Sequence, residues 1–154
     1  RGGISSMFFT ISLVILALGM GGLLFKLGII QIVLQKIEHL FKTVGSTITG
    51  AAATAIGVNV FIGEQYLSIL LPAETFQKQF EKVGLASKNL ARTVEDAGTV
   101  VNPLIPWSVC GIFITTVLDV STLEYAPFAL FCILSPILTI LFGWTGKTLT
   151  YLKK

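Results

Sequence analysis

The sequence predicts an all-α membrane protein, and three observations carry that reading. Hydrophobic residues make up 53% of the 154 and charged residues 12%, with a mean hydropathy of +0.84, whereas soluble domains carry about 25% charged residues. Uncharged runs at 4–25 and 125–146 are each long enough for a helix to cross a hydrocarbon core of roughly 30 Å. Two further apolar stretches contain helix breakers, at Gly57-Val58-Asn59 and at Asn102-Pro103-Leu104-Ile105-Pro106.

The elements follow in chain order. Residues 4–25 (ISSMFFTISLVILALGMGGLLF) form a transmembrane helix, with Gly19, Gly21 and Gly22 allowing close helix approach and Lys26 reaching the interface. Over 28–42, Gln31, Gln35, Glu38, His39 and Lys42 share a helical face opposite Ile30, Val33, Leu34, Ile37, Leu40 and Phe41. That pattern predicts an interfacial amphipathic helix with His39 on its solvated face. Residues 43–75 hold Glu64 in a Gly-, Ala- and Thr-rich setting. One straight helix over that stretch would run roughly 50 Å at 1.5 Å per residue, well past the bilayer core, so we expect a re-entrant hairpin turning near Gly57–Asn59. Residues 76–96 begin as a water-facing connection. The segment 86–118 is a transmembrane helix broken at Asn102–Pro106, and 125–146 is a transmembrane helix kinked at Pro136.

Charge tests this topology. If 43–75 enters and leaves on one side, then Lys26, Lys36, Lys42, Lys78, Lys82, Lys88, Arg92, Lys147, Lys153 and Lys154 share one face and only Arg1 lies on the other. The positive-inside rule then places the C-terminus in the cytoplasm, with Asp119 and Glu124 in an external loop.

Several function classes are excluded by pattern. The basic residues form no stripe with interleaved aromatics, which argues against nucleic acid. Cys110 and Cys132 have no CxxC spacing, and the single histidine has no neighbouring ligand, so no metal cluster or cofactor is expected. With no GxSxG and no GxxxxGK[ST], the chain is not read as an enzyme. It opens with Arg1-Gly2-Gly3 and no signal peptide, and we expect a piece of a longer polypeptide.

Irregular backbone is tolerated at membrane depth only where it is buried in protein or lines a cavity, and broken helices there hold small cations on freed carbonyls. Asn59 and Asn102 each add a side-chain carbonyl, a hard oxygen suited to Na⁺. Exchange against protons further needs a partly desolvated carboxylate that takes either ion. Asp96, Glu64 and Glu95 are the candidates, with Thr99 one turn from the break. Each has a structural alternative: an i, i+4 pair with Arg92 for Asp96, and a hydrogen bond to Tyr66, Thr54 or Gln65 for Glu64. The two breaks could also be kinks that only shape the helices, and Ser46, Thr47, Thr49 and Ser108 read as packing hydroxyls.

The stretches NVFIGEQYLSILLPAETF (59–76), NLARTVEDAGTVVNPLIPWSVCG (89–111) and YAPFALFCILSPIL (125–138) resemble the C-terminal region of NhaC-type Na⁺/H⁺ antiporters, over nearly the whole chain. The resemblance implies a multi-pass secondary transporter of the bacterial inner (plasma) membrane, within the ion transporter superfamily. It further implies alternating access between two inverted repeats, of which this chain is one and the N-terminal repeat is missing. Na⁺ and H⁺ would be transported rather than held as cofactors, with Asn59 and Asn102 facing a central cation site and the whole acting as a homodimer. The same family resembles Na⁺-coupled malate/lactate-type carboxylate exchangers, and no residue here separates the two. A non-transporting membrane scaffold subunit, whose buried polar groups only pack, is the reading from a different class.

Overall fold

A computed structural model describes residues 3–28, 32 and 41–152. Its helices are α1 (Gly3–Lys26), α2 (Val44–Ile62), α3 (Gln65–Lys82), α4 (Ser87–Val94), α5 (Val109–Leu118), α6 (Thr122–Tyr125) and α7 (Leu130–Thr145). A π-helical turn, Glu95–Thr99, and a 3₁₀ turn, Asn102–Leu104, connect α4 to α5, and a second 3₁₀ turn, Ala126–Phe128, follows α6. The expected interfacial helix at 28–42, His39 included, falls almost entirely outside the described residues.

Helix α2 starts at a capping box: the Ser46 N–H donates to Thr43 Oγ1 (3.2 Å) while the Thr43 N–H donates to Ser46 Oγ (3.0 Å). Ser46, read as a packing hydroxyl, is therefore a cap. The helix ends at Gly63, whose φ of 74° lies in the left-handed region that glycine enters without steric cost. Glu64 then caps α3, its carboxylate accepting the Leu67 N–H at 2.9 Å. The chain thus turns at Gly63–Glu64 and stays helical through Gly57–Asn59, where the breaker residues suggested a turn. A glycine inside a helix costs only about 1 kcal/mol, and the Asn59 side chain has tertiary partners that replace local capping. Of Gly57 and Gly63, it is Gly63 that combines a left-handed conformation with a capping residue directly after it.

The two helices pack antiparallel, since Val58 meets Leu67 and Leu71 near the turn while Ile48 and Ala51 meet Phe76 and Phe80 at the far end. Helix α3 runs through Pro72 to Lys82, so residues 76–82 continue that helix rather than forming a separate connection. Phe76 and Phe80 lie one turn apart and are buried with Leu85, Leu90 and Val94, while Gln77, Lys78 and Glu81 face outward. The polar residues there mark one side of an amphipathic helix.

Helix α2 is long and apolar enough to cross a membrane. Ser87–Leu104 with Val109–Leu118 qualifies as a pair bent by 41°, and Thr122–Phe128 with Leu130–Thr145 as a pair bent by 60°. The second bend sits at Ala129, with ψ at 55°, while α7 continues through Pro136. Pro136, where a kink was expected, lies inside α7, and the 60° bend falls before that helix. Phe131, Leu134, Ile137, Leu138 and Leu141 are exposed along α7, as are Phe8, Phe9, Ile15 and Leu16 on α1. Apolar faces of that extent suit lipid and would be an aggregation liability in water. At the end of the chain, Asn89 clamps the backbone of Thr150, donating to its carbonyl (2.6 Å) and accepting its N–H (3.1 Å).

Candidate ion-binding site

The site is built on the interruption after α4. The Val100 N–H donates to the Glu95 carbonyl five residues back (3.2 Å), a π turn of the kind that recurs at functional sites. Pro103 and Pro106 prevent the helix from continuing, and Ser108 restarts it by accepting the Gly111 N–H at 2.9 Å. The Ser108 hydroxyl also donates to the Asn102 carbonyl at 2.7 Å, so it holds both sides of the break. The capping signal, a serine directly before the apolar run 109–118, was present in the sequence.

Asn59 and Asn102, 43 positions apart, meet in this break, and both are completely buried. Asn102 Nδ2 donates to Asn59 Oδ1 (2.5 Å), Asn59 Nδ2 donates to the Gly98 carbonyl (2.5 Å), and the Cys110 N–H donates to Asn102 Oδ1 (3.2 Å). The two ends fix the amide orientations. A backbone N–H can only donate and a backbone carbonyl can only accept, so each amide has one consistent direction. Each of these carbonyl oxygens still has a second lone pair.

Asp96 faces the other way, toward α7. Ser135 Oγ donates to its Oδ1 at 2.8 Å and Thr139 Oγ1 donates to its Oδ2. Arg92 Nε lies 3.6 Å from Oδ2, the i, i+4 pair weighed from the sequence. The same guanidinium sits 5.6 Å over the Phe142 ring and donates to Thr148 Oγ1 at 3.2 Å. The structure thus joins Asn59 to Asn102 but gathers Asp96 with a different set. Glu64 is buried at the turn of the hairpin and bonds Leu67, rather than Tyr66, Thr54 or Gln65. Glu95 is exposed, and the buried Thr99 hydroxyl finds no partner among the described residues. Ser135 and Thr139 escaped sequence reasoning because 125–146 reads as an uninterrupted apolar span. Their i, i+4 spacing on one helix face was the available signal.

The Na⁺/H⁺ antiporter family model matches residues 1–147. The chain belongs to that family. It is 51% identical to the Na⁺/H⁺ antiporter NhaC of Alkalihalophilus pseudofirmus over 95% of this chain and 32% of that protein. It is 40% identical to NhaC of Bacillus subtilis, over 96% of this chain and 32% of that protein. The malate-2H⁺/Na⁺-lactate antiporter of Bacillus subtilis is 32% identical over 99% of this chain and 33% of its own length. The chain therefore spans about a third of the length of the curated relatives it matches. No solved structure matches it.

Proposed function

We propose that this chain forms part of a Na⁺/H⁺ antiporter of the bacterial plasma membrane, working by alternating access. The observation that carries the reading is the hydrogen-bonded chain Cys110–Asn102–Asn59–Gly98, centred on two fully buried amides, which joins the tip half of one helical hairpin to the break in another segment. Neutral carbonyl oxygens held away from water at a helix break are what a weakly hydrated passage for Na⁺ needs. Asp96 is the group shared between Na⁺ and the proton. It retains partial access to solvent, with its side chain 19% exposed, whereas Glu64 is committed to capping α3. Helices α2 and α3 form a re-entrant hairpin, the C-terminus is cytoplasmic, and the remainder of the polypeptide supplies the opposing half of the transport path.

The test is Na⁺-dependent collapse of a pH gradient in vesicles bearing the full-length protein. Asp96→Asn should abolish Na⁺-coupled proton movement while the protein remains in the membrane. Full exchange with an unaltered pH profile in that variant would overturn the assignment. A relative exchanging malate and lactate supports a second reading, Na⁺-coupled carboxylate exchange. Strict dependence of the pH change on added malate or lactate would select it, and a protein silent under all these conditions would favour a scaffold role.

A further inference from the structure

We propose that α7 supplies two cation ligands, the hydroxyls of Ser135 and Thr139, which with the Asp96 carboxylate form a Na⁺-selective oxygen site distinct from the Asn59–Asn102 pair. The inference rests on the reading of Asp96 as the shared group and deepens it, because nothing in that reading requires α7. Residues 135 and 139 are one helical turn apart and project to the same side. One hydroxyl binds each carboxylate oxygen, so the two form a clamp matched to the width of a carboxylate. Thr139 is buried and Ser135 partly buried, whereas Phe131, Leu134, Ile137, Leu138 and Leu141 of the same helix are exposed.

A hydroxyl is both donor and acceptor, so this clamp has two states. Facing a bare carboxylate, both hydroxyls point their hydrogens at it. Facing a carboxylate that holds a cation, they rotate and offer lone pairs, giving four hard oxygens from two helices. Hard-oxygen sets of this kind suit small s-block cations rather than soft metals. Arg92 is the charged group that faces Asp96 in the described residues, and its tether to Phe142 and Thr148 holds it at the rim. Arg92 therefore competes with an incoming cation for the same oxygens.

The experiment uses the full-length protein in vesicles and reads the Na⁺ concentration for half-maximal exchange and the Li⁺ to Na⁺ preference. Ser135→Ala and Thr139→Val should each raise the half-maximal Na⁺ concentration by about tenfold, the usual size of a lost hydrogen bond to a charged group. Thr139→Ser, which keeps the hydroxyl, should restore it. Arg92→Gln should lower the same concentration by about two- to fivefold, in line with a half-exposed ion pair. Ser135→Cys should make exchange sensitive to Cd²⁺, because a thiolate recruits soft metals, and a residue that merely packs would not confer this. Unchanged Na⁺ dependence and cation preference in both hydroxyl variants, with Asp96→Asn inactive, would overturn the α7 site and leave the Asp96 reading standing. Retained exchange in Asp96→Asn would instead remove the parent reading.

Discussion

The π-helical turn Glu95–Thr99 has two faces that solve opposite problems. Toward α2, its Gly98 carbonyl joins two amides that are wholly buried and carry no charge. Toward α7, Asp96 carries a charge and keeps some contact with solvent, held by two hydroxyls and a half-exposed arginine. The division follows from desolvation. A hydrogen-bonded neutral amide can be buried at little net cost, whereas an isolated carboxylate buried in the same way would lose several kcal/mol or take up a proton. The neutral oxygens can therefore occupy the interior while the carboxyl group of Asp96 stays at its edge. A single insertion in the helical repeat lets both faces belong to one short segment.

The largest expected effect breaks the amide face at its backbone. A Cβ on Gly111 would lie 2.2 Å from the Ile105 carbonyl oxygen, which sits in the break and cannot move aside as a flexible side chain could. Gly111→Ala should abolish exchange and sharply lower the yield of detergent-stable, monodisperse protein in size-exclusion chromatography. The Asp96 face would be lost with it, since both share the segment. Normal yield with full activity would mean that the geometry around Cys110 and Asn102 is not required.

A sharper probe removes the amides one at a time. Asn59→Ala leaves Asn102 Nδ2 and the Gly98 carbonyl without partners, and each unsatisfied buried group costs about 1–3 kcal/mol. Asn102→Ala likewise strands the Cys110 N–H and Asn59 Oδ1. Each single variant should show a markedly lower melting temperature and little exchange. The double variant should cost less than the sum, with a coupling of about 0.5–3 kcal/mol. Strict additivity would show that the two side chains do not act as one unit. Ser135→Ala, by contrast, should leave the melting temperature nearly unchanged, because the Asp96 face keeps Thr139, Arg92 and solvent.

The same contrast explains what could be read without coordinates. Asn59 and Asn102 were legible as a pair because polar residues beside helix breakers stand out in an apolar chain, and the proline pair at 103 and 106 dictates where the helix must stop. The fold was legible as helices for the same reason. The position of the turn was not, since Gly57 and Gly63 look alike in sequence. What separates them is a left-handed backbone followed by the capping carboxylate of Glu64. Phe76 and Phe80 were hidden by their charged neighbours, which lie on the opposite side of the helix. Ser135 and Thr139 were hidden because hydroxyls inside a span usually bond their own helix, and only the packing of α7 on the π turn redirects them to Asp96.

The smallest effect tests where the amide face ends. Trp107 follows the break, and its indole N–H donates to the Val60 carbonyl at 2.7 Å, joining α2 to the segment before α5 from outside. Its own carbonyl lies against Gly63, so it bridges the turn of the hairpin as well. With Trp107 58% exposed, water or lipid headgroups can replace part of that bond. Trp107→Phe keeps the ring and removes the donor, so it should cost no more than about 1 kcal/mol, read as a shift of a few degrees in melting temperature with exchange retained. A loss of exchange as deep as that of Asn59→Ala would place Trp107 inside the functional unit. The boundary between a sealed amide interior and a replaceable rim would then lie further out than burial alone indicates.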